Sequence, residues 1–432
     1  MRGVRETAGE LLLRIEAAGQ YADRALDTAL SRAGDMSKED RALLTTLVYG
    51  VVERRITLDA VIDGLSSMPP SAIEKAVRMT LRVALYQLLY LDRIPDHAAI
   101  NEAVSATPRR SKGFVNAVLR QFCRNGKTVP LPDKKEDVAG YLSVRYSVPR
   151  QTAGEFCRLF GEERAESLLC AFAAHPPVTV RVNTSRLSRE EFLARVSGAT
   201  PTPHAPFGAV LPKGAPLQEL ISQGLCFVQD EASQIAVAAL DAAPGQRVLD
   251  LCAAPGSKTF GAALAVGSEG EVQSCDLHEN KLSLITATAQ KLGLSNIAVK
   301  AGDARAATPE THGTYPRVIC DVPCSGFGVL AKKPDIRYKN IEEARGLVPI
   351  QKDILKAASS LVEAGGVLLY STCTLLPAEN EEQVAAFLAT HPEFSLEPFT
   401  VGGISSNGLL TLAPDTHGTD GFFVAKLRKK EA

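Results

Sequence analysis

Apolar residues recur at helical spacing through roughly the first 130 positions. Leu11, Leu12 and Ile15 form one set, Leu26 and Leu30 a second, and Leu43, Leu44, Leu47, Val48 and Val51 a third. Intervals of three and four residues predict amphipathic helices. Leu81, Val83, Leu85, Leu88, Leu89 and Leu91 predict a more buried helix that Pro95 ends. Asp96 is the expected N-cap of the next helix, because its carboxylate can accept a free N–H of the first turn. Residues 1–130 therefore predict a compact all-α bundle.

A linker, KTVPLPDKKEDVAG, follows. The stretch YLSVRYSVPRQTAGEFCRLFGEERAESLLCAFAAHPP predicts two further helices, and VTVRVNTSRLSREEFLARV a strand, a turn and a helix. Ser188 with Glu191 three residues on is a capping box. Residues 140–226 thus predict a small α+β module. From residue 227 the period changes. RVLDLCA, EVQSCDL, NIAVKAGDA, RVICDVP and GGVLLYSTC are short apolar runs, mostly separated by amphipathic stretches. That alternation predicts a doubly wound parallel sheet over 227–432. Two strand-like runs around APDTHGTDG predict a terminal antiparallel hairpin.

Charge and cysteine content narrow the setting. The net charge of −1 over 432 residues excludes a polycation, so any contact with nucleic acid must be local. One segment qualifies. Between Pro108 and Val129 stand Arg109, Arg110, Lys112, Arg120, Arg124 and Lys127, with no acid. Such a run is either a solvated face or an RNA contact. None of the nine cysteines forms a CxxC pair, which predicts reduced thiols in a cytoplasmic protein and no metal site. No apolar run is long enough to span a membrane.

Candidate chemistry lies at the strand ends, where open α/β sheets bind ligands. The first strand runs into DLCAAPGSKTF. Ser257 separates Gly256 from Lys258, and no glycine stands five residues before Gly256, so this is not a P-loop. A GxGxxG fingerprint is absent too. Asp276, twenty residues beyond Gly256, can take both hydroxyls of a ribose. Asp303 is placed to meet the exocyclic amine of a base. An aspartate at a strand end is often just a turn former. Asp250, Asp276 and Asp303 together around a glycine turn predict a nucleoside-containing cofactor. Without a pyrophosphate-binding loop, S-adenosylmethionine is favoured over a nicotinamide dinucleotide.

Two cysteines share the same placement. Cys324 follows the run RVICDVP and Cys373 follows VLLYST. A thiolate can add to C6 of a pyrimidine, making C5 nucleophilic enough to attack a methyl sulfonium. Cys373, Asp321 and Cys324 could serve as nucleophile, ring-nitrogen partner and elimination helper. Cys123, Cys157, Cys170, Cys226, Cys275 and Cys320 read as small buried hydrophobes.

At this point the residues carry a resemblance. DLCAAPGSKT, DVPCSGFGV, KKPDI and STCTLLPAENEEQV, in that order, resemble the motifs of RNA cytosine-C5 methyltransferases. VQDEASQIA is similar to the start of that catalytic domain. IPDHAAINEAVSAT and KGFVNAVLRQF resemble the NusB RNA-binding domain. The combination resembles the bacterial 16S ribosomal RNA methyltransferases of the Sun/Fmu type. The resemblance implies a NusB-like bundle, a small α+β module and a Rossmann-like class I methyltransferase domain. It implies Cys373 as nucleophile, Cys324 as the thiol that aids product release, and Asp321 at the cytosine edge. It implies an S-adenosylmethionine site formed by Cys252, Ala253, Ala254, Pro255, Gly256, Ser257 and Lys258, with Asp276, Asp303 and Asp321. The implied partner is 16S rRNA, free or in a partly assembled small subunit, met by a monomer through Arg109, Arg110 and Lys112. Ser257 stands where the family has a second glycine, Tyr338 where it often has tryptophan, and Phe327 where threonine is common. The last two differences bear on substrate fit. The alternatives are a tRNA cytosine-C5 methyltransferase and a non-catalytic RNA-binding, antitermination-type factor. The retained cysteine pair argues against the second.

Overall fold

The computed structural model describes residues 3–32, 34 and 36–431, with only the backbone of Ala18. Residues 1, 2 and 432 at the ends of the expected domains lie outside the described set. The chain divides into two compact units, one of residues 1–173 with 333–340, the other of 174–332 with 341–432.

The first unit is helical. Helices Lys38–Glu53, Arg55–Leu65, Lys75–Tyr90 and Lys112–Arg124 bury Leu44, Leu47, Leu58, Leu81, Leu85, Leu119 and Phe122 in one core. Leu44, Leu47, Leu81 and Leu85 are positions the helical spacing selects. Asp96 is a correction. It is the first helical residue, Pro95 holds the cap position, and the Asp96 carboxylate accepts from Lys127 Nζ at 2.7 Å. Another correction concerns the two helices expected after the linker. There are three, Val138–Tyr146, Arg150–Phe160 and Glu162–Ala173. Ser147 (φ 55°) and Gly161 (φ 79°) take positive φ and break the pattern twice.

Residues 333–340 complete this unit. Arg337 is fully buried and donates to the carbonyls of Tyr146 and Phe172, both at helix ends. Tyr338 Oη donates to Val52 O at 2.6 Å and accepts from Arg55 N at 3.2 Å. Helix termini leave carbonyls without partners, and these side chains satisfy them. Tyr338, expected to bear on substrate fit, thus serves helix ends. Phe327, in the second unit, is fully buried.

The second unit begins with strands β1 (Val178–Val182), β2 (Thr200–Pro201), β3 (Gly208–Leu211) and β4 (Cys226–Val228). They form an antiparallel sheet in the order β2-β3-β1-β4. The Ser188–Glu191 capping box starts helix Arg189–Arg195, as expected. The large sheet comprises β5 (Arg247–Asp250), β6 (Glu271–Asp276), β7 (Ile297–Ala301), β8 (Tyr315–Asp321) and β9 (Val362–Thr372), all parallel. β10 (Phe394–Leu396) follows, then a separate ribbon of β11 (Phe399–Val401) and β12 (Ile404–Ser406). β13 (Leu409–Leu412) and β14 (Phe422–Lys429) make the expected antiparallel hairpin. The large sheet runs β10-β14-β9-β8-β5-β6-β7. Successive side chains of a strand point to opposite faces, and here both faces are covered. Val248, Ile319 and Leu369 enter one core, Leu249, Val318 and Leu368 the other. Strand order reverses between β5 and β8, which opens a crevice beyond their carboxyl ends. Among the described residues no helix is long and apolar enough to cross a membrane.

Candidate active site

The loop after β5 passes Cys252 to Pro255 and enters helix Ser257–Val266. Gly256 has φ 110°, and a Cβ there would lie 2.5 Å from the Phe260 ring. Ser257 is the first helical residue, so the missing second glycine imposes no strain there. Asp276 ends β6 and accepts Ala254 N at 3.1 Å and His278 N at 3.0 Å, one on each oxygen. A carboxylate oxygen has room for a second donor, so Asp276 can still hold a diol. Gly302 N donates to Asp276 O at 3.1 Å, which brings the β7 end beside the β6 end. Asp303 lies two residues past β7 and caps a short turn. Both of its oxygens meet Arg305, whose hydrogen bonds hold the Asp303 pKa below the usual carboxylate range. Asp250 differs from both. It is fully buried, accepts from Thr259 Oγ1 at 2.8 Å, and has its pKa pushed up to about 7 by burial. It serves the underside of the loop.

Asp321 ends β8. It accepts from Lys258 Nζ and from Ser371 Oγ, each at 2.7 Å. Lys258 also donates to Ser233 Oγ at 3.0 Å. Cys324 and Cys373 stand in the next loops, half-buried, as free thiols hydrogen-bonded to each other with their sulfurs 3.1 Å apart. Cys373 N donates to Cys324 Sγ at 3.2 Å. The hydrogen bond with Cys373, then burial, holds the Cys324 pKa well above the ordinary thiol range. Three backbones cross here. Gly328 N donates to Cys373 O at 3.0 Å and Gly421 N to Gly328 O at 2.7 Å. A Cβ on Gly328 would fall 1.9 Å from Gly421 O, so glycine is required. The crevice thus brings together the Lys258–Asp321 ion pair, the Asp276 carboxylate, a glycine turn and two thiols.

A family model described as 16S rRNA methyltransferase RsmB/F matches residues 237–428. NusB family and RsmF/B-like ferredoxin-like domain models match 2–124 and 154–218. A probable ribosomal RNA small subunit methyltransferase B of Bacillus subtilis is 36% identical, covering 99% of each chain. The chain belongs to the RsmB/F methyltransferase family. A ribosomal RNA small subunit methyltransferase B of Klebsiella pneumoniae is 33% identical over 99% of this chain and 98% of its own. The crystal structure of PH0851 shares the fold, with a TM-score of 0.79 at 24% identity over 99% of both chains.

Several residues of this RsmB/F chain's site escape a reading of strand ends. Ser233 and Ser371 flank the Lys258–Asp321 pair, and only the observed fold brings them there. Glu379 looks like one of several surface acids in PAENEE but is fully buried. The basic segment is partly neutralised in space. Arg110 forms a double contact with Glu74, at 2.9 and 3.1 Å, while Arg109 is exposed and Lys112 opens a helix.

Proposed function

We propose that this chain transfers a methyl group from S-adenosylmethionine to C5 of a cytosine in 16S rRNA, through a covalent cysteine–C6 adduct. The observation that carries the reading is the pair of thiols 3.1 Å apart beside the Lys258–Asp321 pair, at the crevice where the sheet order reverses. S-adenosylmethionine supplies a methyl on a sulfonium, open to attack by a carbon nucleophile. The Cys252–Lys258 turn and Asp276 hold its nucleoside and amino-acid parts, with Asp303 at the rim. Cys373 forms the bond to C6, and the displaced electron pair moves to the ring nitrogen. The Asp321–Lys258 pair meets that edge of the base and provides the proton. With the methyl on C5, the C5 proton passes to Cys324 as Cys324 gives its own proton to Cys373, which leaves with the electrons of the S–C6 bond, and the ring nitrogen returns its proton to the Asp321–Lys258 pair. The target base must be unstacked first, which favours an unpaired nucleotide.

The NusB-like part, residues 1–130, contributes RNA contact through Arg109, Arg110 and Lys112. Residues 140–226 link it to the catalytic domain at 227–432. The relatives' names favour small-subunit rRNA over tRNA. The chain is read as a cytoplasmic monomer. Bisulfite sequencing of 16S rRNA from a deletion strain should reveal one cytosine that loses protection. Wild-type protein should restore it and Cys373→Ala should not. Full protection in the deletion strain would exclude 16S rRNA as the substrate.

A further inference from the structure

Cys324 is bracketed by residues that do not themselves reach the reacting atoms. Glu379 sits in the turn after β9 and is fully buried. Its Oε2 accepts Ser325 N at 2.9 Å and Gln351 Nε2 at 2.8 Å. Its Oε1 accepts Ser325 Oγ at 2.5 Å. Ser325 immediately follows Cys324. The same Gln351 nitrogen, on helix Leu347–Ser360, lies 3.0 Å from Pro323 O, and Pro323 immediately precedes Cys324. Tyr370 Oη donates to Glu379 O at 2.7 Å, so the turn carrying Glu379 is tied to β9 itself. Ser325 Oγ is also 2.9 Å from Thr374 Oγ1, and Thr374 follows Cys373.

These contacts share one consequence. The loops after β8 and β9 carry one thiol each, and hydrogen bonds through Glu379 join the residues next to both. A buried carboxylate surrounded by neutral donors is costly to keep, and it fixes those donors tightly because leaving them unpaired costs more. We propose that Glu379 is a positioning residue that, through Ser325 and Gln351, sets Cys324 against Cys373 in the order the second half of the reaction requires. The role in turnover rests on the covalent reading above; the geometric role does not. Glu379 charge also disfavours a thiolate on Cys324, behind the hydrogen bond with Cys373 and burial. Both thiols are therefore placed by one acid, and only one of them is the nucleophile.

Glu379→Gln keeps the shape but turns an amide N–H₂ toward donors. Two measurements on the full chain read its effect. The first is oxidation by an azodicarboxamide, which takes two electrons and two protons as Cys324 and Cys373 become a disulfide; peptide mapping follows that one linkage. The expected result is a rate at least tenfold below wild type in Glu379→Gln, although loss of the Glu379 charge favours the reactive thiolate, and in Ser325→Ala, which keeps that charge, each at unchanged thermal unfolding temperature. The second is a denaturing gel with labelled 16S rRNA and S-adenosylmethionine. Glu379→Gln should accumulate a protein–RNA band, as Cys324→Ala should. If Glu379→Gln does not fold, Ser325→Ala, which removes one donor, carries the same two measurements. Wild-type oxidation rates in a folded variant would overturn the proposal. A tenfold slower oxidation, with no RNA band in any variant including Cys324→Ala, would leave the positioning role standing and remove the covalent reading instead.

Discussion

Two thiols 3.1 Å apart do not readily carry two negative charges, because like charges at that distance oppose each other's ionisation. The hydrogen bond with Cys373, then burial, holds the Cys324 pKa high, which disfavours a thiolate on Cys324; in the proposed reaction Cys373 is the nucleophile. The two alanine variants should therefore fail differently. Cys373→Ala should give neither adduct nor methyl transfer. Cys324→Ala should still add and methylate once, then stall as a protein–RNA band on a denaturing gel. A band from Cys373→Ala and none from Cys324→Ala would reverse the assignment. Asp250 makes a separate prediction about pH. Burial raises its pKa from 3.8 to about 7. Between these values the unfolded chain has lost the proton and the folded chain retains it. Stability from this group is thus unaffected below pH 3.8, falls as pH rises through this window, and stays reduced above about 7. Asp250→Asn removes the dependence. Relative to wild type, its stability should rise across the window by up to about 4 kcal/mol, at about 1.4 kcal/mol per pH unit. Denaturant unfolding of both proteins at a series of pH values reads this directly, and parallel curves would show that Asp250 ionises normally.

Among the elements, residues 333–340 make the sharpest prediction. Tyr338→Phe keeps the ring under the Arg55 guanidinium, 3.8 Å from its centroid, but strips partners from Val52 O and Arg55 N. Leaving such groups unpaired costs about 1–3 kcal/mol, so the denaturant midpoint should drop accordingly. An unchanged midpoint would mean water replaces the hydroxyl. The same segment marks what the sequence conceals. RVLD, EVQSCD, VICD and VLLYST are legible because apolar runs with acids and cysteines at their ends are local patterns. The Ser188–Glu191 cap is legible for the same reason. Arg337 and Tyr338 are not, because the carbonyls they satisfy lie 165, 191 and 286 residues away. KKPDI suggests a loop of the catalytic domain, yet residues 333–340 are part of the helical unit. Asp250 and Asp303 look alike in the sequence and differ in space. One is sealed under a threonine, the other paired with its neighbouring arginine. Burial and pairing depend on the whole fold, and neither leaves a mark on spacing.

For the molecule as a whole, a net charge of −1 cannot draw RNA by itself. Attraction has to come from a local excess of positive charge, and its salt dependence counts the phosphates it meets. The segment from Arg109 to Lys112 is the candidate, but its cations are not equivalent. Arg110 already faces Glu74 at 2.9 Å. An exposed ion pair of this kind is weak, yet it offsets the charge presented to a phosphate. Arg109 and Lys112 should therefore carry most of the effect. On unpaired RNA each lost phosphate contact reduces the slope of log affinity against log salt by about 0.7, so the Arg109→Ala, Lys112→Ala double variant should flatten it by about 1.4. Arg110→Ala should change it little. Glu74→Ala should do the opposite. Released from its carboxylate, Arg110 becomes available to phosphate, and the slope should steepen by up to about 0.7. Filter binding of 16S rRNA fragments over a salt series measures all four proteins under one condition. A flat response in both the double variant and Glu74→Ala would make this segment a solvated face, and would move the RNA contact of the helical unit elsewhere.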